Sequence, residues 1–337
     1  MKIYNAKGLI FLALFICMAT TLLAQGNLGQ SGANFLQIPA DAKGAALGGA
    51  GVASITGASG LFWNPSSIAQ IEGIDLSVAY TNWFLDTRLT YAAAATSLGE
   101  ASSLGLTLTS FSMDDTEITT EQNPGGTGEL YSAGNLAVGL AYARQMTDRF
   151  SFGVTGKYIQ ENIWNSTASQ VALDIGSRYR TDFKNLVLGM AVRNVGGTLL
   201  FSEDAEDVKS RLDEEAARDE DNNPRIERLS PGYRLPQVFH VGVTFDALQT
   251  QFMTWKMMID ADIPSDNTER IILASELGFS DRIFLRGAYR DGFDFSHLSF
   301  GAGLKFPLGG NSLRLDYAVV LSDHFGALQT VGISSNL

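Results

Sequence analysis

The chain has 337 residues, a formal net charge of −12 at pH 7 and a charged fraction of only 18%. That fraction is low for a soluble protein of this length, and the acidic balance disfavours nucleic acid as a partner. Glycine and phenylalanine number 35 and 20, which suits a chain of strands and tight turns. Length does not decide the number of domains, because barrels of this size fold as single domains.

The N-terminus has the layout of a secretory signal. Lys2 and Lys7 precede or adjoin an apolar run over residues 9–18, and the small residue Ala24 follows. We therefore expect export and cleavage after Ala24. An uncleaved anchor is the weaker alternative, since the apolar run is short for a membrane span. Cys17 is the only cysteine and lies in this leader, so we expect no disulfide in the mature chain.

Residues 25–73 differ in character from the rest of the chain. Small residues dominate between Ala42 and Ala53 and permit close backbone approach. The Asn64-Pro65 step then indicates a sharp change of direction. The glycines match neither GxGxxG nor a P-loop. We predict a plug segment inside a barrel, with a motif formed by Asp41, Gly44, Gly48, Gly49, Trp63, Asn64 and Pro65.

Residues 74–337 consist of segments that alternate with a period of two. Near the end, for example, Leu313, Leu315 and Tyr317 alternate with Ser312, Arg314 and Asp316. Many segments have the length of 9 to 11 residues that a tilted strand needs to cross a bilayer. We predict an all-β, transmembrane antiparallel barrel of about 14 strands. The predicted strands are 74–81, 88–97, 102–112, 135–145, 150–160, 169–180, 186–196, 237–247, 252–263, 270–279, 282–290, 297–306, 312–321 and 328–336.

The connections between these strands are asymmetric. Every second connection is short, whereas the others include the long stretches 113–134 and 197–236. Short periplasmic turns and long extracellular loops are typical of outer-membrane barrels. Aromatic residues near the strand ends would suit interfacial girdles, although each could equally be ordinary packing. They are Tyr80, Trp83, Phe84, Tyr158, Trp164, Tyr289 and Phe293.

Several charged residues fall on the polar faces of the predicted strands. Inside a barrel, such residues must pair with one another, with the plug or with water, because an unpaired buried charge is costly. We expect them to hold the plug and to filter the lumen; a specific substrate site is the less favoured alternative. These lumen-facing candidates are Asp174, Arg178, Arg193, Glu276, Arg286, Lys305, Arg314 and Asp316.

No catalytic or metal-binding set emerges from the sequence. His240, His297 and His324 lie far apart and match no metal-ligand spacing, so we expect structural or surface roles for them. The acidic stretch 203–228 lacks the EF-hand pattern and is predicted to be a solvated helix or flap in the longest loop. We therefore expect no cofactor and no enzymatic activity.

The run from Phe35 to Ala53, FLQIPADAKGAALGGAGVA, followed by Leu61-Phe62-Trp63-Asn64-Pro65-Ser66, resembles the opening of the PorV/PorQ family of outer-membrane proteins. That family is in turn similar to FadL-type channels for hydrophobic compounds. The ending, with Tyr317-Ala318 and Asp323-His324-Phe325-Gly326, is also similar. Two departures are Ser66, where alanine is usual, and the final Leu337, where an aromatic residue is common.

The resemblance implies a fourteen-stranded barrel with an N-terminal plug in the outer membrane, in contact with its lipid. It implies a component of type IX secretion that receives cargo proteins by their C-terminal domains and presents them for surface attachment. The alternative that it leaves open is a FadL-like channel for long-chain fatty acids or other hydrophobic small molecules. A structural or adhesive surface protein is a third possibility, and it would need neither cargo nor a pocket.

Overall fold

A computed structural model describes residues 29–203, 232–293, 296–324 and 326–337. Fourteen long antiparallel strands form one closed barrel. The strands are β1 Ile74–Asn82, β2 Thr87–Ser97, β3 Ser102–Met113, β4 Ala133–Gln145, β5 Phe150–Ile163, β6 Ser166–Arg180, β7 Val187–Gly196, β8 Val238–Gln249, β9 Met253–Pro264, β10 Arg270–Phe279, β11 Ile283–Asp291, β12 Leu298–Leu308, β13 Asn311–Ser322 and β14 Gly326–Asn336. The predicted all-β barrel is therefore confirmed.

Each strand pairs with its neighbours in the chain, and the first strand closes the barrel against the last. In the β1–β14 ladder, Asp75 pairs with Asn336 and Asn82 with Gln329. The ladder between β6 and β7 shifts register between Leu173 and Ile175, which is a β-bulge. Short strand pairs extend some loops: Thr116–Glu117 with Leu130–Tyr131, Thr198–Leu199 with Tyr233–Arg234, and Ser202–Glu203 with β6.

The two faces of the barrel wall differ in chemistry. Large apolar side chains such as Val78, Leu140 and Val171 are exposed on the outside. The inner face carries small or polar residues such as Ser77, Ala79 and Thr81, all buried. Because the barrel is closed, no strand edge is left with unpaired backbone N–H and C=O groups, and the apolar outer surface suits a hydrocarbon environment.

The plug fills the inside of this wall. Its described residues, 29–73, contain one α-helix, α1, over Ala42–Ala46, and three 3₁₀ helices over Asn34–Gln37, Ala58–Phe62 and Pro65–Ile68. Its buried apolar residues pack against the inner faces of β2 to β7 on one side and of β9 to β14 on the other. No helix among the described residues is long and apolar enough to cross a membrane.

The barrel has one end with short turns and one end with long loops. Turns such as 98–101, 146–149 and 309–310 lie at the short-turn end, together with the C-terminal Leu337, whose carbonyl accepts a hydrogen bond from Ile74 N at 3.0 Å. The opposite, long-loop end includes 114–132 and 197–237. In outer-membrane barrels these ends face the periplasm and the exterior, respectively.

Three of the seven aromatic residues considered for the girdles pack inward instead. Trp83 and Phe84 pack against the buried cluster around Ala318 and Val320, and Phe293 packs against the cluster around Ile272. They follow or precede strands at the long-loop end, where the chain turns over the lumen, so proximity to a strand end does not determine which way a side chain points. Tyr80, Tyr158, Trp164 and Tyr289 remain exposed.

Candidate functional site: the plug, the lumen and the two barrel ends

The plug runs the whole length of the barrel. It begins at the long-loop end, where Gly29 N donates to Asp266 O at 3.1 Å and Gly32 N to Arg234 O at 2.9 Å. Ser31 and Gln37 also hydrogen-bond the Asp266 carboxylate. It leaves at the short-turn end, where Ile74 starts β1. The first described residues and the C-terminus therefore lie at opposite ends of the barrel.

Asp41 and Trp63 tie two parts of the plug together. Asp41 caps α1 by accepting a hydrogen bond from Gly44 N at 2.8 Å, and its other oxygen accepts one from Trp63 Nε1 at 2.5 Å. The indole lies between Gly44 and Gly51, where any β-carbon would overlap the ring. Burial raises the pKa of the Asp41 carboxyl to about 6. Glycine is required here because the indole occupies the space of a side chain.

Gly48 and Gly49 form the turn that follows α1. Their φ angles are +66° and +101°, in a region that favours glycine. A β-carbon at Gly48 would lie 2.9 Å from Ala288 Cβ on β11, so this turn touches the barrel wall. The small residues therefore serve both backbone conformation and close packing.

Asn64 and Pro65 dock the plug on the opposite wall. Asn64 is fully buried, and its Nδ2 donates to Val52 O at 2.9 Å and to Ser177 O of β6 at 3.1 Å. Its Oδ1 accepts hydrogen bonds from Ser66 N and Oγ at 3.0 and 2.7 Å. Alanine is usual at position 66 in the family that the sequence resembles, and the serine of this chain supplies an additional hydroxyl donor to the Asn64 side chain.

Glycines of the wall make room for this docking. A β-carbon at Gly153 of β5 would lie 2.5 Å from the carbonyl carbon of Pro65, and one at Gly176 of β6 would overlap Asn64 Oδ1. At Gly189 of β7, a β-carbon would lie 2.5 Å from Val52 O. Three neighbouring strands therefore present a flat surface that matches the plug backbone.

One charged cluster joins the plug to β10, β11 and β13. Arg286 bridges Glu276 and Asp316, with Nε 2.7 Å from Glu276 Oε2 and Nη1 2.8 Å from Asp316 Oδ1. Arg314 Nε lies 3.0 Å from Asp316 Oδ2, and Lys43 Nζ of α1 lies 3.9 Å from Glu276 Oε2. The fold thus brings four of the eight lumen-facing candidates together around one guanidinium.

A second polar network lies on β5 to β9. Asp174 accepts hydrogen bonds from Lys157 Nζ and Asn194 N, both at 2.8 Å. Arg193 donates to Phe62 O of the plug at 2.7 Å and lies 2.9 Å from His240 Nε2.

The same arginine and histidine extend this network further. The Arg193 guanidinium lies over the Phe62 ring at 4.6 Å. His240 in turn contacts Asp262 through Nδ1. This network meets the plug at the residues just before Asn64.

The remaining two candidates lie toward the short-turn end. Arg178 Nη2 donates to Ala53 O of the plug at 2.7 Å. Lys305 does not reach the plug: its Nζ pairs with Asp281 at 2.7 Å beside a turn. Both residues line cavities, Arg178 one of about 390 Å³ and Lys305 one of about 260 Å³.

Four residues of these polar contacts were not predicted from the sequence. Lys43, His240, Asp262 and Asp260, which accepts a hydrogen bond from Val52 N at 3.3 Å, were not among the charged candidates. The strand residues share the parity of the inward face, so alternation alone could have found them. Lys43 belongs to the plug and had no such signal.

The acidic stretch 203–228 lies almost entirely outside the described residues, which resume at 232, so the predicted helix or flap stays a prediction. Within the described part of the chain, no group of three or more His, Cys, Asp or Glu residues could hold a metal ion. The described cavities at the short-turn end are lined mainly by charged and hydroxyl side chains.

The closed barrel with its internal plug is similar to solved structures of FadL-like transporters. The chain matches the Ralstonia pickettii toluene transporter TbuX with a TM-score of 0.55 and 11% identity, over 88% of this chain and 96% of that one. It matches a Pseudomonas aeruginosa FadL homologue with a TM-score of 0.52 and 12% identity, over 92% and 99%. For CymD, a monoaromatic hydrocarbon channel, the values are 0.57 and 11%, over 88% and 97%.

This architecture defines the class: a plugged outer-membrane β-barrel. The family model for PorV, described as type IX secretion system protein PorV, matches residues 24–208, more than half of the chain. The chain therefore belongs to the PorV family of type IX secretion outer-membrane barrels. No curated protein is significantly similar to it in sequence. Both the PorV family and the FadL-like transporters are non-enzymatic kinds of protein.

Proposed function

We propose that this barrel handles secreted cargo proteins in type IX secretion, receiving them at its long-loop end and presenting them for attachment at the cell surface. The PorV match over residues 24–208, which spans the plug and β1 to β7, carries this proposal. The filled lumen supports it, because residues such as Ala46, Leu47, Val52 and Asn64 are fully buried. A barrel packed in this way offers partners its loops and rims rather than a wide pore.

The same proposal includes the processing of the chain. Residues 1–24 act as a signal peptide that is removed on export, 25–73 form the plug and 74–337 the barrel. The polar leader flank, the apolar run and Ala24 support cleavage at that point. N-terminal sequencing of the protein from outer membranes tests it: a start at Gln25 supports cleavage there, whereas Met1 contradicts it.

A FadL-like channel for fatty acids or other hydrophobic small molecules is the second candidate. The similarity to solved toluene and monoaromatic hydrocarbon transporters favours it. The polar lining of the described cavities at the short-turn end argues against an apolar path there. The two proposed functions predict that different molecules are bound to the protein in the native membrane.

The test is gentle extraction of the native protein, with mass spectrometry of the proteins and small molecules that come with it. Recovery of exported proteins that share a C-terminal domain supports cargo handling. Recovery of stoichiometric fatty acid or another apolar molecule, without such proteins, supports the channel instead.

A loop variant locates the cargo surface. The hairpin formed by Thr116–Glu117 and Leu130–Tyr131 can be shortened by replacing 118–129 with Asn-Gly, which keeps the paired strands. We expect less cargo at the cell surface with unchanged barrel assembly. As a control at the opposite end of the barrel, Gly309→Asn creates the same Asn-Gly pair in the short turn between β12 and β13 and should leave cargo attachment unchanged.

A further inference from the structure

A cavity of about 390 Å³ lies at the short-turn end, between the plug and β5 to β7. Its lining includes Arg149, Arg178 and Arg180 from the wall and Ser66, Ser67 and Gln70 from the plug. None of the functions discussed above uses this cavity. The cargo proposal assigns contact with secreted proteins to the other, long-loop end of the barrel.

Arg178 and Arg180 lie two residues apart on β6, so both side chains project from the same face of the strand. Among the described residues, neither has a carboxylate within 4.0 Å. Within the described residues, the Arg178 guanidinium donates one hydrogen bond, from Nη2 to Ala53 O, and the Arg180 guanidinium donates one, from Nη2 to Gln70 Oε1 at 3.1 Å. Each guanidinium has five N–H groups, so most of them are left without a protein acceptor.

This pair contrasts with the arginine of the first charged cluster. Arg286 is held by two carboxylates at 2.7 and 2.8 Å. Arg178 is half-buried beside the exposed Arg180, and placing a partly buried cation next to another cation without an acid is unfavourable. The buried Arg178 Nε has no hydrogen-bond partner in the described structure. Arg149, the third arginine, is already paired with Asp182.

Carboxylates also line the cavity, at Glu72, Asp75 and Asp148. None of them lies within 4.0 Å of Arg178 or Arg180, and Asp75 already accepts a hydrogen bond from Ala58 N at 3.1 Å. Gln145, whose Oε1 is buried without a partner, completes the polar surroundings. The cavity thus keeps two unpaired guanidiniums beside open space large enough for a small molecule.

We propose that the Arg178 and Arg180 pair forms a binding site for a small oxyanion, a carboxylate or phosphate group that enters from the short-turn end. Paired guanidiniums suit such groups because their N–H forks match two oxygen atoms at once. Because the short-turn end of such barrels faces the periplasm, the ligand comes from that compartment. The inference is independent of the proposed cargo function.

The test is isothermal titration calorimetry on the purified full-length barrel in an uncharged detergent, at constant ionic strength. Inorganic phosphate and sodium acetate compare the two oxyanion geometries, and glycerol 3-phosphate represents a phospholipid headgroup. We expect saturable heat with at least one of them. Tighter binding of glycerol 3-phosphate than of phosphate would identify a lipid headgroup as the source, and the reverse order would identify the free anion.

Three variants decide whether the site is the one described. Arg180→Gln changes an exposed side chain and should fold normally, and Arg178→Gln removes the half-buried guanidinium. Each should weaken binding about tenfold, as expected for one lost charge-assisted contact. Arg282→Gln removes an exposed arginine at the same end that does not line the cavity, and it should leave affinity unchanged.

The variant Arg178→Lys keeps the positive charge but loses the planar N–H donors of the guanidinium, so it should bind the oxyanion more weakly than the wild type. No saturable heat with any of the three anions would overturn the proposal. An equal loss in Arg282→Gln and Arg180→Gln would also overturn it, since that result would indicate a general charge effect.

Discussion

Replacing Asn64 with alanine should undock the plug from the barrel wall. The side chain is fully buried and takes part in hydrogen bonds with Val52 O, Ser177 O, Ser66 N and Ser66 Oγ at 2.7 to 3.1 Å. Each such bond contributes about 0.5 to 1.5 kcal/mol, and groups left buried without a partner cost more. We therefore expect the free energy of unfolding to fall by about 2 to 5 kcal/mol.

Two measurements are needed because the wall itself remains closed by its own ladders. Denaturant unfolding in detergent, followed by tryptophan fluorescence, reports global stability. Plug position is reported by a cysteine placed at the fully buried Ala53, which lines neither described cavity, since the sequence has no cysteine other than Cys17. Ala53→Cys should resist maleimide in the otherwise unchanged protein and react readily once Asn64→Ala is added.

The glycine opposite Asn64 provides a second check. Gly176→Ala alone places a β-carbon against Asn64 Oδ1 and should cost about 1 to 3 kcal/mol. In the Asn64→Ala background that clash is smaller, so the combined loss should be less than the sum. Asn311→Ala, which changes an exposed residue, is the control. An Asn64→Ala protein as stable and as unreactive as this control would refute the docking argument.

Three further predictions follow from the plug and the lumen. Arg286→Met leaves Glu276 and Asp316 without their shared cation and should lower the free energy of unfolding by about 3 to 5 kcal/mol. Denaturant unfolding measures this loss, with Arg282→Met, which changes an exposed residue, as the control. Equal stability of the two variants would contradict the bridging role of Arg286. Because folded Asp41 keeps its proton up to about pH 6 whereas an unfolded one loses it near pH 4, lowering the pH from 7 to 4 should favour the folded state by up to about 3 kcal/mol. Asp41→Asn should lack this part of the pH dependence, and identical pH profiles for the two proteins would disprove it. An epitope inserted before Gly29 should be reached by antibody on intact cells, whereas one after Leu337 should need permeabilised cells; the opposite result would reverse the orientation.

Much of the wall could be predicted from alternation alone. In a strand the side chains point to opposite faces in turn, so Leu313, Arg314, Leu315 and Asp316 already divide into outward and inward residues. The fourteen strands lie within a few residues of their predicted bounds. The largest differences are at strand ends, such as β5 and β6, which extend to meet in a tight turn at Trp164.

The plug motif could be found as a local peculiarity, but its contacts could not be derived. Sequence showed small residues and Asn64-Pro65, whereas the structure shows that Gly44 and Gly51 accommodate the indole of Trp63. Likewise, the carboxylate of Asp41 joins residues 22 positions apart in the chain. Such pairs depend on how the plug folds back on itself, and no short-range period records that.

The sequence by itself determined the architecture, because a period of two, strand length and loop asymmetry are local properties that each segment carries independently. Only the tertiary structure decided which inward charges meet. Arg286 on β11 finds Glu276 on neighbouring β10 and Asp316 on β13, one strand beyond β12. Among the described residues, Arg178 and Arg180 have no carboxylate within 4.0 Å, although acids line the same cavity. The difference arises because pairing depends on register between strands and on the side chains of the plug, which closure of the barrel brings within hydrogen-bonding distance.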